Sequence, residues 1–219
     1  MRLHLTLTPN TTPVPFNYQH QLTGALHKWL GQNDLHDKIS LYSFSWLRGK
    51  AERIDGGLNF PNGAKWFISF WEEGHAQQLV KGILDNPILF KGLQVKEVQI
   101  QETPDFGSSY RFKIASPFLL RLNQDDGSRK HLTTKDTEAV SLLNDRFASK
   151  MKQANLNCKV KIRFDEQYSH PKTKLVTIKG TKLKTNICPI IIEGDKEALK
   201  FAWNVGVGEL TGSGLGALI

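Results

Sequence analysis

The order of periodic segments repeats along this chain, and the repeat constrains the fold more than any other sequence feature. In the first half, an alternating strand at residues 2–7 precedes a helix, two strands, a second helix and a final strand. The second half gives the same order with one inserted hairpin. Each half therefore predicts a βαββαβ unit, because apolar residues recur at strand and helix periods in turn.

The segments can be placed from their periodicity. The first half predicts helices at 18–30 and 75–84 and strands at 2–7, 39–47, 64–71 and 93–101. The second half predicts helices at 136–153 and 195–205 and strands at 111–114, 118–122, 158–164, 174–179 and 183–192. The predicted fold class is α+β, with two tandem ferredoxin-like domains of the kind that also underlies the RNA-recognition motif. The sequence ETPDFGSS at 102–109 breaks both periodicities, so we predict domains at 1–105 and 106–219.

Charge and composition narrow the class of partner. The chain has 29 Lys plus Arg against 21 Asp plus Glu, a formal net charge of +8, which suits a polyanion such as nucleic acid. No apolar run approaches the roughly 20 residues of a membrane span, and residues 2–7 alternate like a strand, so neither membrane attachment nor a signal peptide is predicted. Cys158 and Cys188 lie in strand-like runs without metal-ligand spacing. We expect reduced core thiols, a cytoplasmic location, no metal and no cofactor.

A glycine array occupies the C-terminal segment, with five glycines in eleven residues at Gly206, Gly208, Gly212, Gly214 and Gly216. Glycine permits positive φ and removes the Cβ that would block a phosphate. A helix C-cap explains any one of them, Gly206 in particular. Five exceed what a cap needs, so the array predicts a loop whose backbone comes close to another group.

The array resembles the glycine-rich loop of the repeat-associated RNA-binding (RAMP) superfamily of CRISPR systems, and among its members the repeat-processing endoribonucleases most. The segment VPFNYQHQLTGALHKWL at 14–30 is similar to the first helix of that family. The resemblance implies tandem ferredoxin-like domains and CRISPR repeat RNA as the partner. A multi-subunit CRISPR effector complex and a homodimer are further partners that it leaves open.

Two histidines stand apart from the apolar stripe of the first predicted helix. At 100° per residue the stripe faces one way, while His20 and His27 lie together on the opposite side. The family's first helix carries a tyrosine or histidine of the active site one turn after a glycine, and aligning Gly24 places His27 there. A second family histidine has a leucine–histidine–acid context, which Leu35-His36-Asp37 matches. His20 is the nearest competitor for either role.

A pair of histidines suits cleavage of RNA, because the 2′-hydroxyl is a built-in nucleophile that needs one base and one acid. The predicted products are a 2′,3′-cyclic phosphate and a 5′-hydroxyl. His36 is assigned as base and His27 as acid, and the two roles are exchangeable. Some family members have a lysine where this chain has Ser40, which leaves Lys38 as the predicted catalytic cation, with Arg48 and Lys50 as alternatives.

Basic side chains offer a track for an RNA backbone, to which the five glycines would add backbone N–H groups. The predicted track comprises Arg48, Lys50, Arg163, Lys172, Lys174, Lys179, Lys182 and Lys184. Ordinary solvation of strand faces is the alternative for any single lysine. Two other functions stay open: a non-catalytic guide-RNA-binding subunit of the same superfamily, and a basic protein-interaction or DNA-binding module whose glycine loop packs domain against domain.

Overall fold

The first half forms a four-stranded antiparallel sheet with two helices on one face, in a computed structural model that describes residues 1–32 and 39–219. Its elements are β1 (Arg2–Leu7), α1 (Gln19–Leu30), β2 (Tyr42–Phe44), β3 (Glu52–Ile54), β4 (Gly57–Asn59), β5 (Ala64–Phe70), α2 (Glu73–Asp85) and β6 (Val95–Gln101). The strand order β2-β5-β1-β6 is that of a ferredoxin-like βαββαβ unit. The short β3–β4 hairpin, which the sequence did not predict, lies between its second and third strands.

The second half repeats this arrangement. Its elements are β7 (Ser109–Phe112), β8 (Arg121–Asn123), β9 (Arg129–His131), α3 (Ala139–Gln153), β10 (Val160–Phe164), β11 (Lys172–Ile178), β12 (Thr181–Ile187), β13 (Ile190–Gly194), α4 (Lys196–Val205) and a 3₁₀ turn (Thr211–Ser213). The sheet order is β10-β13-β7. Residues 217–219 lie beside β7 in the place of a fourth strand, because Ile219 and Lys113 exchange two backbone hydrogen bonds. The predicted α+β class with tandem ferredoxin-like units is confirmed.

Two local predictions were wrong, each for a physical reason. The strand predicted at 183–192 is two strands, because Pro189 has no N–H for the ladder and the chain changes sheets there. The strand predicted at 118–122 is displaced to Arg121–Asn123, where it pairs with β9 around the Asp125–Gly127 turn. On α3, the apolar residues Leu143, Phe147 and Met151 are buried, while Val140 in the first turn is 37% exposed.

Each half has its own apolar core. Leu3, Leu5 and Leu7 alternate on β1 toward α1 and α2, while Arg2 and His4 face the other side of the sheet. In the second half, residues of β7, β10, β13, α3 and α4 form a separate cluster. Two cores agree with two folding units, and the boundary between residues 105 and 106 stays a prediction.

Helix α4 joins the halves, which explains why seven of its ten residues are buried. Its Asn204 carbonyl accepts a hydrogen bond from Ser43 of β2, and Phe201 meets Trp71 edge to face. The guanidinium of Arg2 lies between the rings of Phe67 and Trp203, at 3.9 and 3.6 Å. Burial lowers the pKa of Arg2 to about 8. These contacts hold the first sheet against the end of α4, directly before the glycine array.

Two further findings bear on the composition. No helix in the described ranges is long and apolar enough to cross a membrane. Cys158 and Cys188 are both free thiols.

Candidate active site

A cleft of about 470 Å³ opens where the two halves meet, and it contains the histidines of α1. Its walls are α1, the start of β2, the tip of the β11–β12 hairpin and the 3₁₀ turn of the glycine array. We call it the histidine cleft, and the residues that line it are His20, Thr23, His27, Ser40, Tyr42, Arg121, Ile178, Lys179, Thr181, Leu183, Leu210, Gly212 and Ser213. The apolar stripe of α1 is buried against the first sheet, so its opposite face is left to the cleft.

His27 is half-buried in the last turn of α1 and contacts a tyrosine that the sequence analysis missed. Its Nε2 lies 3.4 Å from the hydroxyl of Tyr42, and the two rings meet edge to face with centroids 6.5 Å apart. The same hydroxyl donates to the carbonyl of Gly212 at 3.4 Å. An N–H on His27 Nε2 then has the phenol oxygen as its acceptor. This contact fixes the imidazole between the first sheet and the glycine array.

Tyr42 is a neutral hydrogen-bonding group at physiological pH. Only 2% of the residue is exposed, and its ring packs on Phe70 at a centroid distance of 5.6 Å. Burial raises the pKa of Tyr42 to about 12, while a hydrogen bond with Ser40 acts in the opposite direction. The phenol therefore keeps its proton and serves to orient His27 rather than to carry charge.

The other candidate catalytic side chains are those of His20, His36 and Lys38. His20 is exposed, lines the histidine cleft and has Nδ1 3.0 Å from the carbonyl of Asn17. It is thus on the same wall as His27, two helical turns away. His36 and Lys38 lie outside the described residues, and their catalytic roles stay predictions.

Two cations line the histidine cleft. Lys179, one of the predicted RNA-binding residues, has a φ of 47° and precedes Gly180 in the two-residue turn between β11 and β12. Consecutive positive φ values suit the twist of a tight hairpin, so this turn carries the lysine out to the cleft. Arg121 lies on the opposite wall, with its guanidinium on Glu209 at 2.8 Å. Both cations line the cleft, and two N–H groups of Arg121 are bound to Glu209 there.

The glycines of the array come close to the protein's own atoms. A Cβ built on Gly208 would lie 2.6 Å from the carbonyl oxygen of Leu119, and one on Gly214 would lie 2.7 Å from the ring of Phe44. Gly206 faces the backbone of Gly216, Gly216 faces the carbonyl of Val207, and Gly212 faces Ser40 and Tyr42. Protein atoms fill the space that a Cβ would take at these positions, so the absent side chains do not make room for a phosphate as predicted. Whether the N–H groups of these glycines bind RNA stays a prediction.

A buried lysine holds the array in place. Lys150 of α3 is 4% exposed, and its Nζ donates to the carbonyls of Val205 and Gly206 and to Thr211 Oγ1, at 3.1, 3.4 and 3.0 Å. It therefore ties the C-terminal end of α4, where carbonyls lack helical partners, to the 3₁₀ turn. Burial lowers the pKa of Lys150 to about 7. The signal in the sequence was a lysine on the apolar stripe of α3, three residues after Phe147.

Arg48 and Lys50 are not in the histidine cleft. They line a separate concavity of about 550 Å³ on the face of the first sheet that α1 and α2 leave open, which we call the sheet groove. His4, Lys65 and Phe67 contribute its floor. Both Arg48 and Lys50 are exposed. The structure thus separates these two alternatives for the catalytic cation from His27.

The remaining predicted basic residues are spread over three strands, β10, β11 and β12. Lys182 and Lys184 are exposed on β12, on the face of the hairpin that also carries the exposed Leu175. Lys172 is exposed at the start of β11, and the ammonium of Lys174 lies 4.5 Å from the ring centre of Trp46. Arg163 is on β10 and pairs with Glu193 at 3.1 Å. Their RNA contacts stay predictions, and of the eight track residues Lys179 alone lines the histidine cleft.

Metal ligands do not cluster in the described part of the chain, where no three His, Cys, Asp or Glu side chains are placed to share an ion. The residues that sequence reasoning missed are Tyr42, Arg121 and Lys150. Tyr42 and Arg121 gave no signal, because their partners His27 and Glu209 are distant in the sequence.

Comparisons with known proteins agree on one family. Residues 100–218 match the family model described as CRISPR associated protein Cas6, C-terminal. A Cas6-related protein of Pyrococcus furiosus superposes with a TM-score of 0.88 at 20% identity, covering 100% of this chain and 97% of that one. A RAMP protein that binds different RNA substrates gives 0.86 at 17% identity, with coverages of 100% and 98%. A Cas6 product complex gives 0.67 at 13% identity, with coverages of 100% and 97%. No curated protein matches the sequence.

Proposed function

The chain belongs to the Cas6 family of CRISPR-associated proteins, and we propose that it is a metal-independent endoribonuclease that cuts CRISPR precursor transcripts within the repeat. The RNA-binding RAMP protein and the Cas6 product complex among its structural neighbours support repeat RNA as the substrate class. The observation that carries the proposal is the placement of His27. Its imidazole is held by a buried phenol in a cleft that also presents Lys179 and Arg121.

The reaction requires only groups of this kind. A base takes the proton of the 2′-hydroxyl, the 2′-oxygen bonds to the adjacent phosphorus, and the bond from phosphorus to the 5′-oxygen breaks. An acid then donates a proton to the leaving 5′-oxygen. The products are a 2′,3′-cyclic phosphate and a 5′-hydroxyl, and no water or metal enters the balance.

We assign the acid to His27 and the base to His36, with the roles exchangeable. His20 is the alternative second histidine, since it lines the same wall of the cleft as His27. The contact with Tyr42 keeps the His27 ring in one orientation, which a proton transfer needs. Extra negative charge develops on the phosphate in the transition state, and a nearby cation stabilises it. Lys179 joins Lys38 as a candidate for this role, because its hairpin turn reaches the cleft.

The test is single-turnover cleavage of the repeat RNA by the wild type and by His27→Ala, in EDTA. We expect the wild type to cut and His27→Ala to cut about 10²- to 10⁴-fold more slowly, the usual contribution of one general acid or base. RNA affinity should stay within a few-fold. An RNA with a 2′-deoxy sugar before the cut should bind and resist cleavage.

His170→Ala is the matched control, because that exposed histidine contacts neighbouring Ser169 and does not line the cleft. Cleavage that needs added Mg²⁺, or normal cutting of the 2′-deoxy RNA, contradicts the mechanism. Tight binding without any cleavage identifies the chain as the alternative, a guide-RNA-binding subunit. An effector complex or a homodimer is a separate question, answered by the mass of the purified complex.

A further inference from the structure

A second concavity, of about 460 Å³, adjoins the histidine cleft. Its walls are α3, the β8–β9 hairpin and residues 208–211 of the glycine array. It shares Ser40, Arg121 and Leu210 with the cleft, so the two concavities are continuous. We call it the arginine groove, because Arg121, Arg129 and Arg146 all line it.

Cations outnumber acids in this groove. Glu209 is the only carboxylate among the described residues that line it, against three arginines and Lys150. Its carboxylate accepts from Arg121 at 2.8 Å and lies 3.5 Å from Arg146 Nε. Arg146 also donates to the carbonyl of Arg121 at 3.1 Å. Glu209 thus binds Arg121 by hydrogen bonds, lies within ion-pair distance of Arg146 and neutralises only part of their charge.

Two cations lack a counter-ion in the described part of the chain. Lys150, at the floor, donates to two carbonyls and a hydroxyl, all of them neutral, and forms no ion pair there. Arg129 is exposed and forms none either. Burial lowers the pKa of Lys150 to about 7, and an anion in the groove would favour its charged form. Guanidinium groups held in a fixed orientation match phosphate oxygens well.

Leu210, which lines both concavities, has a strained backbone. Leu210 has a φ of 57°, which is rare for a side chain larger than that of asparagine, and its side chain is 37% exposed. Such strain persists where the surrounding structure fixes it, often at functional sites. Here it leaves an apolar side chain standing between the histidine cleft and the arginine groove.

From this continuity, charge and geometry we propose that the arginine groove binds the phosphodiester backbone of the RNA strand as it leaves the histidine cleft. Arg129 contacts a phosphate directly, and Arg121 and Arg146 contribute the N–H groups that Glu209 and the Arg121 carbonyl leave free. The inference rests on the proposed function, because the groove is assigned to the substrate of the adjoining cleft. It adds an RNA contact surface next to the histidine cleft, between α3, the β8–β9 hairpin and the glycine array.

The test compares two neighbouring residues of β9. Arg129 pairs with Asn123, a groove residue, whereas Lys130 pairs with Leu122 and so projects from the opposite face of the hairpin. Arg129→Ala and Lys130→Ala therefore remove the same charge from opposite faces. A second comparison sets Arg146→Ala against Lys152→Ala, an exposed lysine of α3. All variants are made in the His27→Ala background, so that the RNA stays intact during binding.

Binding isotherms with the CRISPR repeat RNA of the same genome are measured at several salt concentrations. We expect Arg129→Ala and Arg146→Ala each to weaken binding about fivefold, as loss of one charged hydrogen bond does at a partly exposed site. Each should lower the slope of log K against log salt by ~0.7. Lys130→Ala and Lys152→Ala should do neither. Shortening the RNA at one of its two ends should abolish the difference in affinity between Arg129→Ala and Lys130→Ala. Shortening it at the other end should preserve that difference.

Equal affinities of Arg129→Ala and Lys130→Ala for every RNA overturn the inference, provided that both variants melt like the parent. The inference is also overturned if the difference in affinity persists whichever end of the RNA is shortened. The groove would then bind no particular part of the strand. These outcomes are separate from failure of the proposed function. A wild-type protein that binds RNA without cutting it still gives the full set of isotherms.

Discussion

The histidine cleft and the sheet groove are both concave and basic, but they are built differently. In the cleft, the Tyr42 hydroxyl lies 3.4 Å from both His27 and the Gly212 carbonyl, and Lys150 ties the array behind them. In the sheet groove, Arg48, Lys50 and Lys65 are exposed side chains on an open sheet face. Charge alone is enough to attract an RNA backbone, whereas proton transfer needs groups held within a fraction of an ångström. We therefore propose that the histidine cleft carries out the chemistry and that the sheet groove binds the RNA backbone.

The largest expected effect tests the packing of the cleft wall. Gly216→Ala should lower the free energy of unfolding by about 3 kcal/mol or more, because its φ is 67° and the new Cβ would clash with the carbonyl of Val207. Gly180→Ala is the matched control. Its φ is 81°, but nothing lies within 4 Å of the added Cβ, so a loss of about 1 kcal/mol is expected. Equal losses in denaturant melts would show that the array is not packed as described.

The second prediction concerns the lysine that holds this wall. Burial lowers the pKa of Lys150 from 10.5 to about 7 in the folded protein. Between these two pH values the unfolded chain binds a proton that the folded chain does not. The contribution of Lys150 to stability therefore rises with pH across this window. Lys150→Met has no group that titrates at this position. The free energy of unfolding of the wild type should therefore rise relative to that of Lys150→Met by up to about 1.4 kcal/mol for each pH unit above 7.

Chemical denaturation at pH 7, 8 and 9 measures that difference. Lys152→Met provides the comparison, because Lys152 is exposed on the same helix and its removal should give a difference that does not change with pH. A constant difference between wild type and Lys150→Met would mean that the ammonium is not buried against the array.

The smallest effect is expected in the sheet groove. Arg48→Ala with Lys50→Ala should lower the slope of log K against log salt by ~1.4, because each cation that no longer neutralises a phosphate lowers it by ~0.7. The single-turnover rate at saturating RNA should not change, since neither residue lies near His27. Lys81→Ala, an exposed change on α2, should leave both quantities unchanged. A lower rate for the double variant would place the groove within the catalytic machinery and break the comparison.

The helices and their faces could be predicted from the sequence alone. The apolar stripe of α1 was predicted from the 100° rotation per residue, which is a local property of the helix. The strand break at Pro189 could have been predicted as well, because proline lacks an N–H wherever it stands. The family resemblance drew attention to His27, which lines the cleft, but it gave no information about what contacts the ring.

Only the tertiary structure decided what surrounds those residues. His27 and Tyr42 are separated by fifteen positions and Lys150 and Thr211 by sixty-one, and no periodicity links them. The array shows the limit most clearly. Its sequence determined that backbone would come close to another group, since glycine allows what a Cβ forbids. The tertiary structure shows that this group is the protein itself, at Leu119 and Phe44. The contacts depend on how the two halves of the chain pack against each other, which no local pattern specifies.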